Sequence, residues 1–253
     1  MLVLKLILTP LLMGGVSLAG RKFGPNVSGW LVGLPLTSAP VALFLALDQG
    51  TTFASRAAQG TLAGFASQAA FCVAYAWLSF RIGWPGCWLV SWGVFFAATF
   101  VFEQVSVPLP LSFVGVVSFL LIALLLLPKH RGQIVETTPP AWEIGGRMLV
   151  ATSFVLVLTG AASFLGPRLS GLLSPLPIFA TIVAAFTYQF QGAAAARQVL
   201  HGVLVSSFAC AIFFLVVAGL LERWGIIATF IGASLAALLT QGCSLYILRK
   251  VEL

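Results

Sequence analysis

Charge is what this sequence has least of. Six carboxylates and thirteen Lys or Arg residues stand among 253 positions, so 8% of the chain is charged against 60% hydrophobic. The mean hydropathy is +1.08. A soluble domain carries roughly 25% charged residues, and a chain this poor in charge could not cover a water-facing surface. That excludes a separate soluble domain. The net charge of +7 does not indicate nucleic acid, because the basic residues are scattered singly between apolar runs. They read as orientation signals at membrane faces.

Chemistry-bearing residues are equally scarce. There are two histidines, His130 and His201, no His-Glu-x-x-His and no Gly-Lys-[Ser/Thr] phosphate loop. No carboxylate pair is placed mid-membrane for acid–base work, so the sequence predicts no catalytic residue, and an enzyme is not expected. Cys72, Cys87, Cys210 and Cys243 lie within apolar runs without a Cys-x-x-Cys pair. They read as small buried hydrophobes, and neither a disulfide framework, a metal site nor a cofactor is indicated.

What the chain does have is a duplication. The stretch from Phe23 to Gly60 returns from Leu165 to Gly202 without a gap, at a constant offset of 142 positions. Gly24, Pro25, Ser28, Gly29, Pro35, Phe44, Gln49 and Gly50 recur as Gly166, Pro167, Ser170, Gly171, Pro177, Phe186, Gln191 and Gly192, and Lys5 falls on Arg147. Chance spacing of apolar residues would not keep Gly, Pro and Gln in one register, and a repeat of this kind decides the architecture.

A bilayer core about 30 Å thick needs roughly 20 apolar residues per helix. Such runs lie near 2–20, 28–48, 57–80, 85–103, 108–128, 146–164, 170–190, 199–221 and 225–248. The first has a repeat counterpart that cannot be a signal peptide, so it reads as a retained span. The expected fold is an all-α polytopic membrane protein of nine transmembrane helices. Residues 1–104 form a first four-helix repeat and 105–142 a reversing helix with a polar cytoplasmic loop. Residues 143–253 form the second repeat. Five spans separate equivalent points, so the second half enters from the opposite side, giving a 4+1+4 inverted repeat.

Arg21, Lys22, Arg81, Lys129, Arg131, Arg147, Arg197, Arg249 and Lys250 then share one face, and Lys5, Arg56, Arg168 and Arg223 the other. The richer face is expected to be cytoplasmic. This places the N-terminus outside and the C-terminus inside a bacterial inner membrane.

The candidate site is read from spans two and seven. Pro35 and Pro40 interrupt one, Pro175 and Pro177 the other. An interior proline removes a helix hydrogen bond and clashes with the preceding turn, so a broken or kinked helix is expected in each. Paired breaks in inverted halves build a central binding site in one reading; in the other they only let helices bend and approach. Ser28, Gly29, Pro35, Thr37 and Ser38 would face Ser170, Gly171, Pro177 and Thr181. Thr37 and Ser38 match Phe179 and Ala180, an asymmetry that suits one central site. Asp48, matched by Phe190, is a candidate as the carboxylate adjoining span two, or else a solvated helix-end group.

Gln49 and Gln191 recur in both halves. Arg56 with Gln59, and Arg197 with His201, place a cation and a polar group one turn apart. His201 is either a proton-linked group or an interfacial one. Gln68 and Gln241 lie deeper and must find partners, as interhelical links or cavity lining. Glu103 and Glu222 read as solvated.

Leu2-Val3-Leu4-Lys5-Leu6, then Ser170 to Ala180 (SGLLSPLPIFA), with Arg197 and Gly202 following, resembles the GlpM family of four-span bacterial inner-membrane proteins. Each half matches over roughly 100 residues; the fifth helix does not. The first half departs from the pattern, since Gly33 to Ser38 (GLPLTS) lacks the first proline. The resemblance implies a fused tandem of such units and a link to exopolysaccharide production. Two functions are therefore expected: a secondary transporter or flippase of a small polar or lipid-linked substrate, or a non-transporting subunit assisting envelope exopolysaccharide or lipid biosynthesis. The expected surroundings are a lipid bilayer and no nucleic acid, and the chain is compatible with a homodimer.

Overall fold

A computed structural model describes residues 2–32, 35, 38–104, 107–128, 140, 142–161 and 176–251. These are helical throughout apart from short connections, with no strand among them. In chain order they form α1 (Leu2–Phe23), α2 (Pro25–Val32), α3 (Ser38–Gln49), α4 (Thr51–Leu78), α5 (Trp84–Gln104), α6 (Leu109–Leu126), α7 (Trp142–Ala161), α8 (Ile178–Gln191) and α9 (Ala193–Val251). Four helices are long and apolar enough to cross a membrane: α4, α5 over Trp84–Phe102, α6, and α9 over Ala193–Ser244. The chain is thus compatible with a multi-pass membrane protein.

The Ala193–Ser244 stretch is 52 residues long, about 78 Å at 1.5 Å per residue and too long for one crossing. At Gly225 the backbone leaves helical geometry, with φ 72° and ψ 178°. The two arms fold back on each other there. Phe213 and Phe230 meet edge to face across the bend with centroids 6.0 Å apart. Further down, α2 touches both arms: Gly29 lies against Val199 and the Trp30 carbonyl accepts from Gln241 Nε2 at 3.2 Å.

Repeat-equivalent helices pack on each other and run antiparallel. Gly14 of α1 lies beside Met148 of α7, whereas Arg21, further along α1, reaches back to Glu143. Along α4 the partners on α9 descend in the same way. Ser55 donates to the Ala218 carbonyl, Phe65 meets Phe214, Gln68 donates to Ser207, and Ser79 accepts from Arg197. Small residues permit this close seam: Ala54, Ala57, Ala58, Ala66 and Ala69 on α4, and Ala194, Ala195, Ala196, Ala209 and Ala211 on α9 are all buried.

The periphery is apolar instead. Leu89, Phe96 and Phe100 on α5, Leu111 and Leu125 on α6, and Ile227, Leu238 and Leu239 on the second arm of α9 are exposed. An apolar surface of this extent marks a membrane or protein contact rather than a water-facing wall.

The helix bounds differ from the hydropathy reading in an instructive way. The third span was expected from 57 and the eighth from 199, but α4 starts at Thr51 and the ninth helix at Ala193. Polar Thr51, Thr52, Arg56 and Gln59 lower local hydropathy without ending a helix. Glu222 and Arg223, expected as a break, are helical, and the bend falls at Gly225. Cys72, Cys87 and Cys210 are buried as expected, but Cys243 is exposed and is a correction: it lies on the outward side of the second arm, between exposed Gly242 and half-buried Ser244.

Candidate functional site

Helix α2 ends at Val32 and α3 begins at Ser38, with Pro35 in a bend between them whose carbonyl accepts from Ala39 N at 2.9 Å. Pro177 stands directly before α8, its carbonyl accepting from Thr181 N at 2.7 Å. A proline at a helix entry has no amide to leave unsatisfied. The short helices α3 and α8 then stop at equivalent positions, Gln49 and Gln191. Each is followed by a glycine in the same conformation: Gly50 has φ 88° and ψ 166°, and Gly192 φ 89° and ψ 173°. That region is almost closed to residues with a Cβ, which explains why both glycines recur in the sequence. Twelve and fourteen residues give about 18 and 21 Å, too short to span alone.

Ser28 and Gly29 occupy the other side of the break. Ser28 is buried against Gly20. Gly29 is where α2 meets the backbone of α9; an added Cβ would stand 2.8 Å from Val199 Cα. Ser38 and Thr181 are buried, and the hydroxyls of Ser28 and Thr181 have no hydrogen-bond partner among the described residues. Helix α2 also touches α8. Thr37, Ser170 and Gly171 lie outside the described residues, as do the side chain of Asp48 and the basic loop at 129–139.

The charged candidates separate. Arg56 and Gln49 are exposed, and Gln191 is half-buried. Gln59 spends its Nε2 on the Val107 carbonyl at 2.9 Å. His201 is half-buried on α9. Arg197, by contrast, is buried. Its guanidinium donates to Ser79 Oγ at 2.9 Å and lies 4.1 Å from the Phe80 ring centroid, within cation–π range. Ser79 Oγ in turn donates to the Ala76 carbonyl at 2.7 Å, and Tyr188 OH donates to the Ile82 carbonyl at 3.2 Å. These contacts tie the start of α9 and the end of α8 to the end of α4.

A second cluster lies at the same end of the bundle, where α1 finishes. Glu143, 2% exposed, bridges Arg147 on its own helix and Arg21 on α1. The Arg21–Glu143 contact is 3.0 Å, and the same Arg21 nitrogen donates to the Pro140 carbonyl at 3.0 Å. Arg147 sits over the Phe186 ring of α8 at 5.4 Å. Glu143 stands in the first turn of α7 and Arg21 in the last turn of α1, where each sign suits the helix dipole. In the sequence Arg21 and Arg147 stand out as face markers, and Glu143 does not. The signal available was the Glu-to-Arg spacing of four on one helix face; the partnership with Arg21 spans 122 positions and leaves no local trace.

The deep amides are links between helices. Gln68 reaches Ser207 at 3.4 Å and Gln241 the Trp30 carbonyl at 3.2 Å, beside a Trp30 Nε1 to Ser244 Oγ bond of 3.2 Å. Glu222 is exposed, as expected. Among the described residues no group of three His, Cys, Asp or Glu side chains could hold a metal ion. No protein-family model, curated protein or solved structure matches the chain.

Proposed function

We propose that the chain is a secondary transporter or flippase of a small polar or lipid-linked substrate, working by alternating access between two inverted repeats. The observation that carries this reading is the pair of short helices α3 and α8. Each starts within three residues of a proline, Pro35 or Pro177, they end at equivalent residues, and they belong to halves whose equivalent helices pack antiparallel. Discontinuous helices in corresponding positions of inverted halves are the arrangement from which transporters build central sites. The antiparallel packing of α1 on α7 and of α4 on α9 supports a second half that enters the membrane from the opposite side, and so a 4+1+4 order of nine spans with α6 as the reversing helix.

In this topology the Arg21, Arg81 and Arg197 end is cytoplasmic, the N-terminus is outside, and the membrane is a bacterial inner membrane. Contacts between ends support the order: Arg21 meets Glu143, Arg197 meets Ser79, and Trp77 Nε1 donates to the Leu126 carbonyl at 2.9 Å. Each pair joins ends that the nine-span order puts on one face. The reading is non-enzymatic.

A second reading, a non-transporting subunit for envelope exopolysaccharide or lipid synthesis as the GlpM likeness implies, is favoured by one feature. The α4–α9 seam is closely packed with alanine and linked by Gln68 and Ser207, as a scaffold would be. Reconstitution into proteoliposomes distinguishes the two. A transporter exposes cysteines introduced at Ser38 and Thr181 to a membrane-impermeant thiol reagent, from one side or the other as conditions change, and gives flux of a substrate. Lasting protection of both positions with no flux refutes transport.

A further inference from the structure

Among the described residues, the ion cluster at the Arg21 end holds two guanidiniums and one carboxylate. Arg21 and Arg147 share Glu143. Arg147 is 5% exposed, and its Nε has no acceptor among the described residues. A buried guanidinium is costly unless its donors and charge are met. Its planar fork matches the paired oxygens of a carboxylate or phosphate. The Phe186 ring lies within cation–π range at 5.4 Å, and Nε is the donor left for an oxyanion among the described residues. Arg21 is 31% exposed along its side chain, so the cluster reaches the protein surface.

The duplication separates what is common from what is particular. Arg147 falls on Lys5 and Phe186 on Phe44, a cation and an aromatic in both halves; Glu143 falls on Met1 and Arg21 on Ser163. The cation and the ring are therefore the shared part, and the carboxylate belongs to the second half alone. We propose that Arg147, with Arg21, binds the phosphate or carboxylate group of an anionic ligand, and that Glu143 competes with that group for both guanidiniums. The site makes the substrate class anionic. Only the statement that the bound anion is the one transported rests on the transport reading; the binding itself does not.

The test uses the full chain in phosphatidylcholine nanodiscs, its melting temperature followed against inorganic phosphate, with chloride at matched ionic strength as control. A second arm replaces part of the lipid by phosphatidylglycerol without free phosphate. Saturable stabilisation by phosphate is expected from binding to the folded state. Glu143→Gln removes the competitor and should lower the half-saturating phosphate concentration by about tenfold, whereas Arg147→Lys, which keeps the charge but loses the fork, should raise it by about tenfold.

A shift with phosphate alone identifies a soluble anion. An Arg147-dependent shift with phosphatidylglycerol alone identifies a lipid headgroup, and supports the site equally. If Glu143→Gln does not fold, the comparison of Arg147→Lys with the unaltered chain decides. No shift with either anion, or the same shift in Arg147→Lys, overturns the proposal. Phosphate stabilisation without flux of any phosphate compound into proteoliposomes leaves the site standing and removes transport of that anion.

Discussion

Replacing Gly29 by alanine adds one methyl group at the point where α2 lies on α9, and the structure fixes what that methyl meets. Its carbon would run into the Val199 carbonyl oxygen first, and would stand 2.7 Å from the carbonyl carbon and 2.8 Å from Val199 Cα. Carbon atoms pack at about 3.5–4.0 Å, so the overlap with these two carbons alone is about 1 Å and that with the oxygen is larger. The obstacle is helix backbone, which no rotamer change moves aside. Overpacking of a well-filled interior costs about 1–3 kcal/mol, and a backbone obstacle places this case at the upper end. Alanine recovers up to about 1 kcal/mol over glycine inside a helix, leaving a net loss near 2 kcal/mol. Gly15→Ala is the control: Gly15 is exposed on α1 with nothing within 4 Å of its added Cβ. It should gain about 0.5–1 kcal/mol from helix propensity alone. The assay is reversible unfolding in mixed detergent micelles, followed by circular dichroism. Equal stabilities for the two variants would refute the close approach of α2 to α9.

Gly50→Ala and Gly192→Ala should each cost about 1–3 kcal/mol, because both glycines hold the same backbone conformation, and the two losses should agree within error in the same unfolding assay. Gln68→Leu should change stability by less than about 1 kcal/mol, since its bond to Ser207 is long at 3.4 Å and side-chain bonds between membrane helices average about 0.6 kcal/mol; a larger loss would show that Gln68 lines something polar. Arg81→Cys and Arg56→Cys, in a Cys243→Ser background that leaves only buried thiols, should label with an impermeant maleimide from opposite faces of the membrane. Labelling of both from one face would overturn the nine-span order.

The parts of the fold legible in the sequence were those fixed by local chemistry. Pro35 announced the break between α2 and α3, and Pro177 the start of α8, because a proline acts on its own turn, whereas Pro40, expected to interrupt as well, is helical within α3. Gln49-Gly50 and Gln191-Gly192 marked the two helix ends because glycine alone fits the conformation that follows. Gln68 and Gln241 were legible as amides that need a partner, either another helix or a cavity, although the partner itself was not. The starts of α4 and α9 were misplaced by about a turn and a half because hydropathy measures burial in lipid rather than helix formation. Glu143 was missed for a different reason. Its value comes from Arg21, and a pairing across 122 positions becomes visible only when α1 and α7 are laid side by side. The charged half of the candidate site was therefore hidden, while the backbone half was open to inspection.

Equivalent positions that have diverged show where the two ends of the bundle came to differ. Ser55 and Arg197 stand 142 positions apart, as do Ala76 and Ala218. Ser55 Oγ donates directly to the Ala218 carbonyl at 2.8 Å. At the other end the matching carbonyl, Ala76, is reached through an intermediary, since Ser79 Oγ donates to it and accepts from Arg197. The frame is the same, but a short neutral hydroxyl has been exchanged for a long cation plus a relay. That exchange lets Phe80 and Tyr188 join the contact and puts a buried charge where the first half has none. Together with Glu143 it places the charged contacts between the halves, among the described residues, at the Arg21 end. At the opposite end Ser55 and Gln59 donate only to backbone carbonyls. If the halves rock, a charged seam resists opening more than a neutral one, and an oxyanion that competes for its arginines loosens it selectively. Arg147→Lys and Ser55→Ala should consequently differ in kind: the first changes how anions act on the protein, and the second changes only stability, by about 1 kcal/mol for one lost hydrogen bond.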